Sequence, residues 1–271
     1  MPKTIMILFH AREKPSMNFA VGAFERNWRE MGYQIEHHYG IPVSAKRADI
    51  LFPQIDLTQV PPSYKRYIEN FDGIVVNRRI HNISKRNFSE SLVHPGDEYQ
   101  GPVIVKSDAN NFGRPEWRLA PRWKKLLLLI SGKKPKQTAD YHVFAHSGLV
   151  PRKFLLSKRY IVEKFLPEKE GKFRYLRIYY FLGNQGRSIR LKSTFDIIKD
   201  LNSTERKNID TPVELIDLRK RLGLDYGKID YVMHKGRAVV LDINKTPAGC
   251  PDPETQEKNR QMANGILAIE K

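Results

Sequence analysis

Apolar residues in the first third of the chain form short continuous runs, and stretches of helical periodicity separate these runs. Residues 4–10 (TIMILFH) predict a buried strand, and residues 16–32 predict an amphipathic helix with Ser16 as its N-cap and Gly32 at its end. Strands that alternate with helices are typical of a mainly parallel sheet. The pattern therefore predicts an α/β lobe, which continues with strand-like runs at 33–40, 48–57 and 73–79 and a proline-initiated helix at 61–71.

From residue 85 onward, longer runs in which apolar and polar residues alternate predict an α+β region dominated by antiparallel strands. Residues 172–184 and 186–195 are two such runs around a Gly-Asn-Gln-Gly turn. The other expected elements are a short helix at 84–93, strands at 101–108 and 160–166, and helices at 121–132, 212–225 and 252–271.

Residues 228–249 (KIDYVMHKGRAVVLDINKTPAG) predict a hairpin around the turn His234-Lys235-Gly236. Strand alternation places Asp230, Asp242 and Asn244 on one face if the loop has an odd length, with Gly236 as its third residue. Two neighbouring carboxylates and an amide oxygen are ligands suited to Mg²⁺. A solvated sheet face that carries acidic residues is the alternative interpretation. The residues that alternate with the acids along the two strands are apolar and are expected to face a core. They are Ile229, Tyr231, Met233, Val239, Leu241 and Ile243.

The composition is that of a folded globular protein, with 271 residues, 40% of them hydrophobic and 28% charged. This length predicts about two domains or three lobes. A single cysteine, Cys250, excludes an intrachain disulfide and predicts a cytoplasmic setting. The apolar runs at 5–9 and 126–130 are too short for a signal peptide or a membrane span, so no membrane partner is expected.

The net charge of +17, from 47 Lys and Arg against 30 Asp and Glu, predicts an anionic partner. Nucleic acid, a nucleotide, an acidic peptide and an anionic carrier all satisfy this expectation. The basic residues are spread along the chain, so charge alone does not choose among them.

Two further residues indicate nucleotide chemistry. Lys106 interrupts the apolar strand PVIVK, and a lysine buried there needs a compensating anion such as a phosphate. The following turn contains Gly113, which could let backbone amides approach phosphates. Glu163 lies in YIVEKFL before Pro167, where free backbone groups beside an acid could bind a purine and its ribose. A solvated lysine and a solvated acid are the simpler alternatives.

The order of these motifs, SK, VIVK, VEKFL, paired strands with arginines, and D…DxN followed by TPAG, resembles the ATP-grasp superfamily over residues 77–250. This resemblance implies an N-terminal Rossmann-like lobe that precedes the ATP-grasp fold, followed by the two-lobed ATP-grasp fold with antiparallel sheets. The implied divisions are residues 1–84, a small ATP-grasp lobe at 85–169, and a C-terminal lobe with the metal site at 170–271.

The resemblance also implies the site residues, position by position. Two departures from the family pattern are an Asp at position 242, where Glu is usual, and a loop at 107–116 that is poor in glycine. The implied ATP-binding residues are Lys85, Lys106, Glu163, Leu166, Glu168 and Glu170; the implied metal ligands are Asp230, Asp242 and Asn244; and Arg174 and Arg190 are the implied catalytic arginines that bind phosphate or intermediate.

The implied function is an ADP-forming ligase that uses ATP and two Mg²⁺ ions to activate a carboxylate as an acylphosphate for attack by an amine or a thiol. The positive charge then indicates an anionic substrate, such as an acidic peptide or a carrier-bound acid. The alternatives are a kinase of the same fold, an inactive nucleotide binder, and a nucleic-acid-binding protein. The last is disfavoured, because a binder has no need of Asp230, Asp242 and Asn244 on one face, and the two acids would repel phosphates in the absence of a metal.

Overall fold

The computed structural model describes residues 2–15, 18–43, 47–131, 141–199, 202–249 and 253–270. Its N-terminal part is a parallel sheet in the order β2-β1-β3-β4. Apolar runs form its two central strands because these strands are covered on both faces. The strands are β1 (Thr4–Phe9), β2 (Gln34–Tyr39), β3 (Ile50–Gln54) and β4 (Ile74–Val75), and the helices are α1 (Val21–Glu30) and α2 (Pro62–Glu69).

The middle of the chain forms a small antiparallel sheet in the order β6-β5-β7. Its central strand, β5, is the PVIVK segment, and its valines pack into a separate small core. The strands are β5 (Val103–Ser107), β6 (His142–Phe144) and β7 (Tyr160–Lys164). The helices of this region are α3 (Arg114–Leu119), α4 (Arg122–Ile130) and α5 (Arg152–Leu155), and short 3₁₀ turns span Lys85–Asn87, Asn110–Gly113 and Ser147–Leu149.

The C-terminal part contains a six-stranded antiparallel sheet in the order β11-β10-β9-β12-β13, with β8 paired to β9. Alternation along these strands buries one apolar face against helix α6. The strands are β8 (Glu168–Glu170), β9 (Phe173–Leu182), β10 (Gln185–Ser193), β11 (Glu205–Ile209), β12 (Tyr226–His234) and β13 (Arg237–Asn244), and α6 is Val213–Leu222.

The last two helices, α7 (Pro253–Ala263) and α8 (Ile266–Ile269), pack against the N-terminal sheet. The indole of Trp28 on α1 donates to the carbonyl of Ala263 at 3.0 Å, and Tyr226 of β12 lies in the same core. The parallel sheet and the large antiparallel sheet therefore share one hydrophobic core, which fixes the carboxyl edge of the first beside the hairpin of the second.

Several sequence expectations differ from the structure. Helix α1 begins at Val21 rather than near residue 16, and Ser16 lies outside the described residues. The expected C-terminal helix is divided at Asn264 and Gly265, where the carbonyl of Leu182 at the end of β9 lies so close that a Cβ on Gly265 would overlap it. The strands β8 and β11, rich in charged residues, were not predicted. In the described part of the chain, no helix is long and apolar enough to cross a membrane.

Candidate functional site

The β12–β13 hairpin brings two carboxylates face to face. Its turn has only two residues, Lys235 and Gly236, with φ of 50° and 78°, so the predicted odd-length loop is wrong. The strands pair in one register from the turn as far as Tyr231 and Val240, and the register then shifts by one residue. This β-bulge makes Asp230 the direct partner of Asp242.

The bulge also changes which residues of β13 face the core. Val239 and Leu241 were expected there, but Ala238 and Val240 pack against the core residues Tyr231 and Ile243 instead. The side-chain alternation reverses at Leu241, because the strand has one extra residue at that point. The expected shared face of the two acids is therefore present, but for a different structural reason.

Each of the two facing acids has a lysine partner. Lys228 Nζ lies 2.9 Å from both carboxylate oxygens of Asp230, and Lys85 Nζ lies 3.1 Å from Asp242 Oδ1. Burial lowers the pKa of Lys228, but Asp230 and neighbouring groups outweigh burial and leave it raised. The side chain of Lys85 is only 7% exposed, so Asp242 compensates a nearly buried charge.

A third lysine–carboxylate pair lies beside the first two. Lys106 on β5 pairs with Glu163 on β7, and its ammonium donates to the carbonyl of Leu241 on β13 at 3.3 Å. Both side chains are buried, and the anion that compensates Lys106 here is a carboxylate. The second oxygen of Glu163, Oε1, is buried and has no hydrogen-bond partner within the described part of the chain. Lys106 thus connects the small sheet to the bulged strand of the large sheet.

The residues after β13 turn toward the N-terminal sheet. Asn244 Oδ1 accepts from the backbone N–H of Thr246 at 2.8 Å, and the hydroxyl of Thr246 donates to Asp56 Oδ1 at 2.8 Å. Burial lowers the pKa of Lys245 to about 7, against the opposing effects of Asp56 and Glu116. This turn fixes the amide of Asn244 next to the facing acids. Cys250 lies outside the described residues.

Asp56 belongs to a buried polar network at the carboxyl edge of the parallel sheet. Arg118 Nη2 lies 2.8 Å from Asp56 Oδ2 and 2.7 Å from Glu13 Oε2. Asn110 donates its backbone N–H to the Thr58 hydroxyl at 2.7 Å. The network connects the loops after β1 and β3 to the loop after β5, and so holds the N-terminal sheet against the candidate site.

Two aromatic side chains lie near the acids. Phe112 and Tyr141 pack edge to face with 5.4 Å between ring centroids. Burial raises the pKa of the Tyr141 phenol, and the charges of Asp242, Asp230 and Glu163 raise it further. Asn111 and Phe112 both have positive φ, which is costly for residues with a side chain and is common at functional sites.

The two glutamates of β8 have different surroundings. Glu168 makes a two-pronged ion pair with Arg177, with contacts of 2.6 and 3.0 Å, and accepts from the backbone N–H of Met233 at 2.9 Å. Glu170 is more exposed and accepts only from the Tyr175 hydroxyl, at 2.6 Å, among the hydrogen bonds of the described residues. Leu166 lies in the connection between β7 and β8.

The two arginines lie on opposite faces of the large sheet. Arg190 is opposite Arg177, and its guanidinium lies 4.5 Å from the centroid of the Tyr175 ring. Asp230 is opposite Ile178, so Arg190 is on the face away from the acids. Arg174 is on the same face as Asp230, but its Nε donates to the exposed Asp196 at 2.8 Å. In this structure neither arginine contacts the acids.

The arrangement has the donors that a divalent cation needs. Two opposed carboxylates and a nearby amide oxygen form a hard-oxygen set, and the carboxylates repel each other unless a cation lies near them. No group of three or more His, Cys, Asp or Glu is found in the described residues, so a third oxygen donor would have to be an amide such as that of Asn244. The residues present fit Mg²⁺, provided that the lysines move away from the carboxylates.

Sequence reasoning missed Lys228 and Tyr141, which lie beside the facing acids, and Arg118, which pairs with Asp56 at the edge of the parallel sheet. The only signal for Lys228 was its position two residues before Asp230 on the same strand, which places both side chains on one face of the sheet. Tyr141 and Arg118 reach the site through tertiary packing alone, and nothing in their local sequence identifies them.

Comparison with known proteins agrees with this architecture. No protein-family model and no curated protein matches the chain. The structure is similar to that of D-cycloserine synthetase DcsG, with 11% identity, 99% of this chain and 100% of that chain covered, and a TM-score of 0.53. It is similar to D-alanine–D-alanine ligase from Bacillus anthracis, with 10% identity, coverage of 100% and 97%, and a TM-score of 0.50. It is also similar to the ATP-grasp ligase PsnB complexed with minimal precursor, with 12% identity, full coverage of both chains, and a TM-score of 0.50. From its two antiparallel sheets, its acidic hairpin and these solved neighbours, we conclude that this chain has the ATP-grasp fold.

Proposed function

We propose that the protein is an ATP- and Mg²⁺-dependent ligase that converts a carboxylate into an acylphosphate, which an amine then attacks. One observation carries the proposal: three lysine–carboxylate pairs meet at the bulged hairpin of an ATP-grasp fold. The names of its solved neighbours, a D-alanine–D-alanine ligase and an ATP-grasp ligase among them, support the class of reaction.

The lysines would hold the phosphates of ATP. Lys85 and Lys106 extend toward β13 from two different parts of the chain, and both are nearly buried. Phosphoryl transfer depends mostly on positioning and on neutralising charge, so buried ammonium groups at fixed places suit it. Glu163 and the backbone of Leu166 would contact the adenine. Glu170 would contact the ribose more readily than Glu168, because Arg177 already holds Glu168.

The facing acids would hold the metal. Asp230, Asp242 and Asn244 would hold the metal, which we propose to be two Mg²⁺ ions. Bound Mg²⁺ supplies positive charge to the phosphoryl group that is transferred. When Lys85 turns to the phosphates, Asp242 loses its ammonium partner and then needs this positive charge.

The remaining residues have supporting roles in this proposal. Arg174 shares the face of Asp230 and could reach an intermediate after leaving Asp196, whereas Arg190 would have to act from the other face. We further propose that the parallel sheet is a Rossmann-like lobe of residues 1–84 that holds the substrate. Residues 85–169 and 170–271 would then be the two lobes that enclose ATP.

The test is release of ADP in the presence of candidate acids and amines. The ligase requires both an acid and a nucleophile, whereas a kinase releases ADP with one acceptor alone. Asp242→Ala should abolish release, and Asp217→Ala on the exposed face of α6 is the matched control. Undiminished ADP release by Asp242→Ala would refute the metal assignment. If the protein binds ATP but releases no ADP with every acid and amine tested, it is an inactive nucleotide binder.

A further inference from the structure

A cavity of ≈ 720 Å³ opens between the carboxyl edge of the parallel sheet and the small sheet. Its floor contains His10 and Thr58 from the loops after β1 and β3, and Trp117 of α3 lines its wall. Ligand sites typically measure about 300–1,000 Å³, so the cavity has the size for a small molecule or a short segment of chain.

Four cationic side chains line this cavity: Arg12, Lys124, Lys158 and Arg159. All four residues are exposed, and in the described part of the chain none of these side chains has an acidic partner. Cations that surround a concave surface without counter-charges attract an anionic ligand.

The two acids of the cavity do not cancel this charge, because groups of the protein already hold them. Asp108 accepts from Arg86 Nε and from the Ser84 hydroxyl, and these hydrogen bonds keep its pKa below the usual value although burial opposes them. Glu116 Oε1 accepts from the backbone N–H of Thr58 at 2.8 Å. Its other oxygen, Oε2, is buried and has no hydrogen-bond partner among the described residues.

His10 adds a neutral donor. Its Nδ1 accepts from the backbone N–H of Arg12 at 3.1 Å, so the proton of the neutral ring is on Nε2. Burial lowers the pKa of His10, and Arg12 and Arg118 lower it further, so the ring stays uncharged near pH 7.

The cavity adjoins the candidate nucleotide site. Ala109 lines the cavity, and its carbonyl accepts from Lys85 Nζ at 3.4 Å, while the same ammonium pairs with Asp242. A carboxylate bound in the cavity would therefore lie one loop away from the proposed phosphates.

We propose that this cavity binds the acidic substrate, a molecule with at least two carboxylates. The four cationic side chains of the rim bind these carboxylates. This inference rests on the proposed function for the reason why the ligand is bound, but the binding itself does not depend on turnover. A free oligocarboxylate and an acidic segment of a polypeptide share this chemistry.

The experiment measures binding without nucleotide, with triglutamate and propane-1,2,3-tricarboxylate as probes. Trp117 fluorescence reports occupancy, and Trp117→Phe identifies its signal. Lys158→Ala/Arg159→Ala removes two rim charges and leaves the backbone carbonyls that accept from Arg86 and Asp108. Lys220→Ala/Arg221→Ala removes two exposed charges from α6 and is the matched control.

We expect the rim variant to weaken binding of a probe about tenfold, and the α6 variant to stay within about twofold of wild type. Preference for triglutamate identifies a peptide segment as the source, and preference for the tricarboxylate identifies a free acid. Equal weakening in the two double variants, or no binding of either probe at millimolar concentration, overturns the proposal. Tighter binding of a thymidine hexanucleotide that displaces triglutamate also overturns it, in favour of nucleic acid.

This result is separable from the test of ligase activity. Probe binding without ADP release under any condition would leave the anionic site standing and refute the ligase. ADP release with an acid whose use is unaffected by the rim variant would support the ligase and refute the site.

Discussion

Lys85 and Asp242 form an ion pair of 3.1 Å that joins the segment before the small sheet to the last strand of the large sheet. The same lysine is a proposed phosphate ligand, and the same carboxylate is a proposed metal ligand. Neither group can serve a ligand fully until the other is released. With both assignments, the pair would couple nucleotide binding to metal binding.

The first prediction is that Mg²⁺ and an ATP analogue stabilise the protein together and only weakly apart. Nucleotide alone must take Lys85 from Asp242 and leave a carboxylate uncompensated, and metal alone must leave a nearly buried ammonium uncompensated. A ligand at about 100 times its dissociation constant adds roughly 2.7 kcal/mol to stability. Thermal unfolding with analogue, with Mg²⁺ and with both measures the effect.

Asp217→Ala should still need both ligands for full stabilisation. For Asp242→Ala, Mg²⁺ should no longer increase the stabilisation that the analogue gives. Equal stabilisation by the analogue in excess chelator and in Mg²⁺ would show that the Lys85–Asp242 pair does not couple the two ligands.

The second prediction concerns Lys106 and Glu163. Glu163→Gln leaves the buried Lys106 without an anion, so we expect it to lower the free energy of unfolding by roughly 3 kcal/mol. In the double variant Lys106→Met/Glu163→Gln the loss should be smaller than the sum of the two single losses, by about 1–3 kcal/mol. Urea unfolding of all four proteins completes the cycle, and additive losses would mean that the pair is not coupled.

The third prediction tests the turn of the hairpin. Gly236 has φ of 78° and open space around its Cα, so Gly236→Ala introduces backbone strain without a clash. We expect a loss of about 1 kcal/mol in stability. Lys235→Asn should gain a few tenths of a kcal/mol, because Asn tolerates the left-handed conformation that Lys235 adopts.

Both turn variants should bind nucleotide as the wild type does, because the turn is at the far end of the hairpin from Asp230 and Asp242. An unchanged melting temperature for Gly236→Ala would contradict the positive φ at this position.

The fourth prediction is a pH dependence that comes from His10. Its pKa in the folded chain is below the ordinary value, mainly through burial, so the unfolded chain binds more protons at mildly acidic pH. Stability should therefore fall as pH decreases below about 6.5. His81, whose pKa burial also lowers, contributes in the same direction.

In His10→Gln, the slope of unfolding free energy against pH between about 5.5 and 7 should be shallower than in the wild type. Loss of the stacking on Tyr64 lowers stability equally at every pH, so the slope rather than the absolute value is the measurement. An unchanged slope would mean that His10 titrates normally in the folded chain.

The alternating patterns and motifs predicted much of the architecture correctly. Strands β5, β7, β9 and β13 lie within the predicted stretches, and β10 begins one residue before its stretch, because their apolar periodicity reflects burial that is local to each strand. The charged strands β8 and β11 were missed, since they lie at the edge of the sheet and carry little apolar signal. The assignment of ligands to the site residues stays a prediction.

The sequence by itself determined that two acids and an amide share a hairpin and that lysines precede them in the chain. Only the tertiary structure decided how they meet. The bulge that opposes Asp230 to Asp242 depends on the register between two strands, and the partners Lys85 and Lys106 come from distant segments. Tyr141 and Arg118 reach the site for the same reason. Charge pairing across lobes depends on packing of whole sheets against each other, and no local pattern of residues records that packing.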